Sequence, residues 1–349
     1  MKFNVEKIDN STGQEIVLIN ISNVNKHTIS ITNLGGIVHA WFCPDVEGNI
    51  SDVLLGCKNI LDYQNSHPYF GAIVGRYANR IAFGKFSIEG IDYNLAINNP
   101  PHHLHGGNVG FDKKIWGYQI IENENDITLI LSCESPHMEE GYPGFLKVQV
   151  AYTFDNEGKL SIDYTATTDQ ATHLNLTNHC YFNLSGDSKS TILDHQLQIM
   201  SENITETDEH LIPTGKIIDI KGSNLDFTEM TPIGLRIKKD DPNLNKANGY
   251  DHNFVIDGQN ITSAIAIAQH PQTGRRLQVF TTEPGIQLYT GNWLNDVDGK
   301  HGKYQNYAGF CLETQHYPDA PNHPNFPTTL LKVGDTYRSK TIYKIDLIS

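Results

Sequence analysis

The sequence predicts an all-β protein, a large antiparallel β-sandwich. Three observations carry that expectation. Short runs alternate apolar and polar residues, the separators between them are rich in Asn, Asp, Gly and Pro, and no stretch sustains a helical period. Nothing resembles a βαβ alternation, which disfavours a parallel α/β sheet. There is no Pro/Ser-rich linker, low-complexity tract or internal repeat, so residues 1–349 are expected to form a single domain.

In chain order, 16–22 and 28–33 read as a first hairpin about the turn 23–26. Asn33-Leu34-Gly35-Gly36 then gives the backbone freedom to bend. Residues 58–64 read as one or two helical turns, and 85–97 as a hairpin around Glu89-Gly90. Strands at 127–133, 146–154 and 160–167 follow, the last two joined by Asp155-Asn156-Glu157-Gly158. Further strands are expected at 191–201, 264–269, 277–282, 286–292, 310–315 and 341–347, while 235–239 is too short for a helix.

The strictest alternation is 172–184. Its even positions carry Leu174, Leu176, Cys180, Phe182 and Leu184, with Asn178 the exception; its odd positions carry His173, Asn175, Thr177, His179, Tyr181 and Asn183. The pattern predicts one strand with a face in the core and a face in a polar medium. That second face holds neutral hydrogen-bonding groups rather than Lys, Glu and Asp, which suits a polyhydroxylated ligand as well as it suits water.

Composition narrows the partners. The 26 Lys+Arg against 40 Asp+Glu give a formal net charge of −14, which repels polyanions and argues against nucleic acid and anionic membrane. The acidic residues are scattered, so they chiefly confer solubility. The first seven residues carry charges where a signal peptide needs an apolar run, and no apolar run is long enough to span a bilayer. Cys43, Cys57, Cys133, Cys180 and Cys311 are odd in number, widely spaced and free of any C-x-x-C pair. That usage points to a reducing cytoplasm and to neither a disulfide framework nor a thiolate zinc site.

Chemistry-bearing residues gather in a few short blocks. Gly75-Arg76-Tyr77-Ala78-Asn79-Arg80-Ile81 offers two guanidinium forks and an amide, either for a ligand or for surface salt bridges. Pro100-Pro101-His102-His103-Leu104-His105-Gly106-Gly107 reads as a loop carrying catalytic imidazoles, a metal site, or an exposed turn without function. Asp251, in Tyr250-Asp251-His252-Asn253-Phe254, is either a turn residue or a site carboxylate. Gln287 and Tyr289 share one strand face in 284–292, and Glu313 sits in mid-strand within 310–315. No nucleophile elbow, P-loop or dinucleotide fingerprint is present. What the set does offer is acids and bases among uncharged hydrogen bonders. An imidazole with an unperturbed pKa near 6.5 suits the acid, and a carboxylate whose pKa is raised by burial suits the base.

These blocks resemble the aldose 1-epimerase (galactose mutarotase) family. The resemblance runs from about Asn33 onward through GRYANRIAFG at 75–84, LHGG at 104–107, NHCYFNL at 178–184 and YDHNF at 250–254. PGIQLYTGN at 284–292 with FCLETQ at 310–315 completes it. It implies a galactose mutarotase-like supersandwich that interconverts the α and β anomers of free hexoses, without cofactor or metal. By match of motif, Glu313 is implied as general base, His179 as the acid with His105 beside it, and Asn79, Arg80, Asp251 and Gln287 as holders of the sugar hydroxyls. Tyr289 is the expected stacking platform. The partner expected is a small aldohexose, with the protein a monomer or weak homo-oligomer. A hexose-6-phosphate epimerase, a glycoside hydrolase using Asp251 and Glu313, and a non-catalytic sugar-binding module stand as alternatives.

Overall fold

The computed structural model describes residues 1–11, 13–65, 67–257, 261–300 and 302–348. Three antiparallel sheets dominate it. Lys2–Ile8, Ile16–Ser22, Thr28–Thr32, Val38–Pro44 and Ile50–Asp52 pair in sequence order. A nine-stranded sheet begins Gly117–Glu122, Asp126–Ser135, Leu146–Asp155, Lys159–Thr168, continues through Tyr337–Leu347, and ends Arg275–Thr281, Ala266–His270, Gln196–Ile199, Thr231–Pro232. The third sheet runs Pro213–Asp219, Asn203–Thr207, Asp251–Val255, Gly285–Tyr289, Cys311–Gln315.

The long strands form because alternation gives each an apolar face to bury. In Asp126–Ser135, Ile127, Leu129 and Leu131 are fully buried while Thr128, Ile130 and Ser132 keep access to solvent. The same inner face continues through Val150, Tyr152, Ile162, Tyr343 and Val279, and it packs on Ile19, Ile29 and Ile31 of the first sheet and on Phe254, Ile286 and Leu312 of the third. One large sheet thus backs two smaller ones, a sandwich as expected. The first hairpin forms in the expected place with Ser22 opposite Thr28, and Phe154 opposite Leu160 marks the expected turn at 155–158.

Three expectations need correction. Residues 172–184 are not one half-solvated strand. They contribute only Thr172–His173 and Thr177–Asn178 as strands, and every side chain from Thr172 to Leu184 is buried. The polar face meets protein main chain instead of water. Asn175 Nδ2 donates to the carbonyls of Ala78 and His316, Thr177 Oγ1 to that of Thr314, Asn178 Nδ2 to that of Gly71, and Asn183 Nδ2 to that of Ala308. The stretch is a buried ribbon that laces neighbouring segments together.

Second, the strand expected at 191–201 is only Gln196–Ile199. Third, Lys2–Ile8 and the helix Pro242–Ala247 were not anticipated. The strand is exposed along nearly its whole length, so it shows no buried face. The helix is capped by Asp241, whose side chain accepts from Asn243 N–H, and ends at Asn248 in the left-handed region. Six residues are too few to display a period.

Candidate active site

Three adjacent strands of the third sheet build the floor of a pocket. Asp251 lies opposite Tyr289 and Tyr289 opposite Cys311; one register along, Asn253 lies opposite Gln287 and Gln287 opposite Glu313. Because side chains alternate, Asp251, Gln287, Tyr289 and Glu313 all project from one face.

The wall opposite is a clasp between two short segments. Arg80–Ile81 pairs with His103–Leu104, and just beyond that ladder Asn79 N–H donates to His105 Nδ1 at 3.1 Å while His105 N–H donates to the Asn79 carbonyl at 3.1 Å. Asn79 and His105 both sit at positive φ, 66° and 51°. Gly106 follows because the turn presses against the next segment: a Cβ there would collide with the carbonyl of Gly75.

His179 enters from the buried ribbon. Its main chain is fixed on both sides, since Gly71 N–H donates to its carbonyl at 2.9 Å and its own N–H donates to the Ala72 carbonyl at 3.0 Å. The imidazole lies between Tyr69 and Tyr181, with ring centroids 5.9 and 4.9 Å away and near-parallel planes. Its Nδ1 is 3.4 Å from Cys311 Sγ, which leaves Nε2 facing Glu313 Oε1 at 3.5 Å.

These side chains enclose about 270 Å³, room for one monosaccharide ring. Asn79, Arg80, His105, His179, Asp251, Tyr289 and Glu313 all line it, from six segments remote in sequence. Gln287 alone among the expected residues lies behind the lining, its Nε2 donating to Asp251 Oδ1 at 2.6 Å. Tyr289 presents its ring edge-on to His179 and Tyr181, and its hydroxyl accepts from Trp293 N–H at 3.2 Å. Arg80 Nη2 stands 3.6 Å from Asp251 Oδ2. Arg80 Nε, Gln287 Oε1 and Glu313 Oε2 are buried without a hydrogen-bond partner. A larger hollow of about 1080 Å³ lies on the outer face of the nine-stranded sheet, but no imidazole lines it.

Burial governs the electrostatics. It lowers the His179 imidazole to about 4. Burial, joined by the neighbouring His179 and Arg80, takes His105 well below its usual value. Burial together with the charge of Asp251 raises the Glu313 carboxyl well above the ordinary carboxylate range, against an opposing pull from Arg80. The cost falls on the charged form in each case.

The rest of the histidine cluster does not reach the pocket. His102 and His103 are not in an exposed loop; they are 3% and 0% exposed. His103 bridges the Tyr142 hydroxyl and the Ala96 carbonyl, both at 2.7 Å, and His102 Nδ1 accepts from Phe83 N–H. Arg76 is likewise neither surface nor ligand-facing. It is 2% exposed, and its guanidinium donates to Ser135 Oγ and to the carbonyls of Ser135, Pro136, Pro143 and Gly144. Tyr69, Tyr181, Asn99, Leu104 and Trp293 also line the pocket and were not singled out in the sequence. Tyr181 shares the odd face of 172–184 with His179 and was readable there; the loop-borne Tyr69 and Trp293 carry no pattern.

Two groups among the described residues bring three donor atoms within 4.8 Å of one another, His105–His179–Glu313 and Asp194–His195–His270. Hydrogen bonding speaks against a metal at either. His105 Nδ1 accepts a backbone N–H, so Nε2 carries the proton and faces the pocket as a donor. His195 Nε2 accepts from Leu184 N–H at 2.9 Å, so Nδ1 carries the proton and points it at Asp194.

A β-sandwich with a one-sugar pocket floored by two carboxyl groups and walled by two imidazoles suits the class of carbohydrate isomerases, and the comparisons with known proteins agree. Solved structures of the same fold include galactose 1-epimerase from Lactobacillus acidophilus, with TM-score 0.89 and 25% identity over 100% of this chain and 99% of that one. The aldose epimerase homologue from C. elegans gives TM-score 0.86 and 28% identity over 95% and 99%. The galactose mutarotase of Bos taurus is 43% identical over 91% of each chain, and the aldose 1-epimerase of Escherichia coli (strain K12) 33% identical over 95% of this chain and 96% of its own. The family model described as aldose 1-epimerase matches residues 17–344. The chain belongs to the aldose 1-epimerase family.

Proposed function

We propose that this chain interconverts the α and β anomers of free aldohexoses, with Glu313 and His179 moving the protons. The observation that carries the assignment is the 3.5 Å approach of His179 Nε2 to Glu313 Oε1 inside a sugar-sized pocket. In a pyranose hemiacetal O1 and O5 share one carbon, so a base and an acid placed side by side reach both at once.

Glu313 takes the proton of the O1 hydroxyl while the His179 imidazolium gives its Nε2 proton to O5. The C1–O5 bond breaks, C1 becomes an aldehyde, and rotation about C1–C2 presents the other carbonyl face. On closure O5 attacks C1 and returns its proton to His179, and Glu313 returns its proton to O1. Burial places the resting proton of the pair on Glu313, so the reactive ion pair is the minority form. In it the imidazolium is a stronger acid and the carboxylate a stronger base than either is in water. A positioned proton transfer contributes about 10²–10⁴-fold per group, or about 3–5 kcal/mol. His105 Nε2–H, Asn79, Arg80 and Asp251 hold the other oxygens, Gln287 steadies Asp251, and Tyr69 and Tyr289 flank the ring.

A phosphorylated hexose fits less well. Arg80 is the one cationic residue in the lining, and Asp251 already faces it. A hydrolase works with two carboxyl groups, whereas here Glu313 faces an imidazole, His179 Nε2, at 3.5 Å. We read residues 1–349 as one domain, since a single core cluster draws on side chains from Val17 to Ile345. Five free cysteines support a cytoplasmic setting, and the net charge of −14 supports a monomer or weak homo-oligomer that does not bind nucleic acid or anionic membrane. Among the described residues no helix is long and apolar enough to cross a membrane.

Polarimetry of freshly dissolved α-galactose tests the function: rotation reaches equilibrium far faster with the protein than without it. Tight sugar binding with no acceleration would instead favour a binding module.

A further inference from the structure

We propose that Gln315 and Asn253 line a closed polar recess behind Glu313, in which ordered water bonds to the carboxylate and positions it. This rests on the reading of Glu313 as the base.

The strand Cys311–Gln315 puts Glu313 and Gln315 on one face, two residues apart and therefore about 6.6 Å along the chain. Gln315 is 0% exposed, and neither its Oε1 nor its Nε2 has a hydrogen-bond partner. Opposite it stands Gly285, whose missing side chain makes room for Asn253 and Tyr317 over the sheet. Asn253 leans into that space from the next strand: a Cβ on Gly285 would lie 2.5 Å from Asn253 Oδ1. Asn253 Oδ1 is also buried and unpartnered, and its Nδ2 finds only a long contact, 3.4 Å, to Thr205 Oγ1. Glu313 Oε2 and Gln287 Oε1 border the same face one register along and are unpartnered too.

Buried amides in folded proteins are satisfied almost without exception, and an orphaned cluster of this kind marks bound water or ligand. A sugar cannot be that partner for Gln315 and Asn253, because neither lines the pocket. Tyr317, Val255, Ala320 and Phe326 form a buried apolar cluster at this end of the sheet, with Tyr317 against Gly285. One water making two hydrogen bonds spans about 5.6 Å, within about an ångström of the spacing between positions 313 and 315. Such a water accepts from Gln315 Nε2 and donates to Glu313 Oε2, so it fixes the carboxylate's plane and favours its ionised form against the pull of burial.

Two measurements decide the proposal. Gln315→Leu keeps shape and removes both polar atoms. Its kcat is expected to fall about 10-fold with KM within about 2-fold, and the basic limb of the kcat/KM profile, which the raised carboxyl of Glu313 governs, to move up by about one pH unit, with Asn253→Leu moving it the same way. An unmoved basic limb in folded Gln315→Leu would overturn it. The second measurement uses the unaltered protein and so does not depend on the variants folding. A high-resolution crystal structure must show water bonded to both Gln315 and Glu313 Oε2, and a dry recess would sink the idea. Normal turnover in Glu313→Gln would remove Glu313 as base while leaving the crystallographic result standing, so the two failures are distinguishable.

Discussion

The backbone N–H of Asn79 donates to Nδ1 of His105 at 3.1 Å, and that one bond decides what the imidazole can offer a ligand. With the Nδ1 lone pair engaged, Nε2 is a hydrogen-bond donor and no metal ligand. Activity is therefore expected to survive exhaustive treatment with EDTA. Loss of turnover restored by zinc would revive a metal role for His105, His179 and Glu313.

Removing the base separates catalysis from stability. Glu313→Gln is expected to lower kcat by about 10²–10⁴-fold, and His179→Asn similarly, with circular dichroism unchanged. The Glu313 variant is also expected to melt no lower than the unaltered protein. Because the carboxyl of Glu313 is raised above its ordinary 4.5 in the fold, the stability it confers is complete below its unfolded value and is lost as pH rises through its folded value. The advantage of the amide should therefore grow with pH. A midpoint that drops sharply would make Glu313 a structural residue.

Asp251 touches Arg80 and Gln287, not the reacting pair. Asp251→Ala is expected to raise KM about 10–100-fold with a smaller fall in kcat, the signature of lost binding to hydroxyls that do not react. An effect confined to kcat would place Asp251 in the proton transfers.

The two arginines at 76 and 80 should behave oppositely. Arg76→Lys cannot reproduce a guanidinium fork bonded to Ser135 Oγ and four carbonyls, and burial holds Arg76 at about 10 already. Chemical denaturation should show a loss of about 3 kcal/mol or more. Arg80→Lys should leave the denaturation midpoint nearly unmoved while raising KM. Equal stability losses in the two variants would contradict this division.

Asp194 accepts hydrogen bonds from two imidazoles, His195 Nδ1 at 3.1 Å and His270 Nε2 at 3.4 Å. The hydrogen bond from His195, ahead of an opposing effect of burial, lowers its carboxyl from 3.8 to about 2. A depressed folded pKa contributes stability that is present above the unfolded value and lost as pH falls through the folded one. The unaltered protein should therefore exceed Asp194→Asn in denaturation midpoint above about pH 4, the gap closing by about pH 2. Because Asp194 is largely solvent-exposed the gap should be small, and a gap that persists at pH 2 would remove the ionic explanation.

The sandwich was legible because its strands bury one face and wet the other, and Ile127, Leu129 and Leu131 announce this directly. The site was legible where a titratable residue interrupts such a strand, as Glu313 does, or crowds a short block, as His105 does. Alternation fails at 172–184 because it registers only that polar groups need partners, and carbonyls of Ala78, Thr314 and Gly71 serve as well as water. Tyr69 and Trp293 were illegible for another reason: each reaches the pocket from an irregular segment, where no period distinguishes it from its neighbours.

The order of strands in the nine-stranded sheet bears on how the molecule assembles. Tyr337–Leu347 is flanked by Lys159–Thr168 on one side and Arg275–Thr281 on the other, so it alone bridges the halves of that sheet. During synthesis the two halves must wait, edges bare, until residues 337–347 leave the ribosome, and such long-range pairing is slow and prone to aggregation. A nascent chain stalled just short of that strand should call heavily on chaperones, and its release should convert a sticky, two-part intermediate into the closed enzyme in one step.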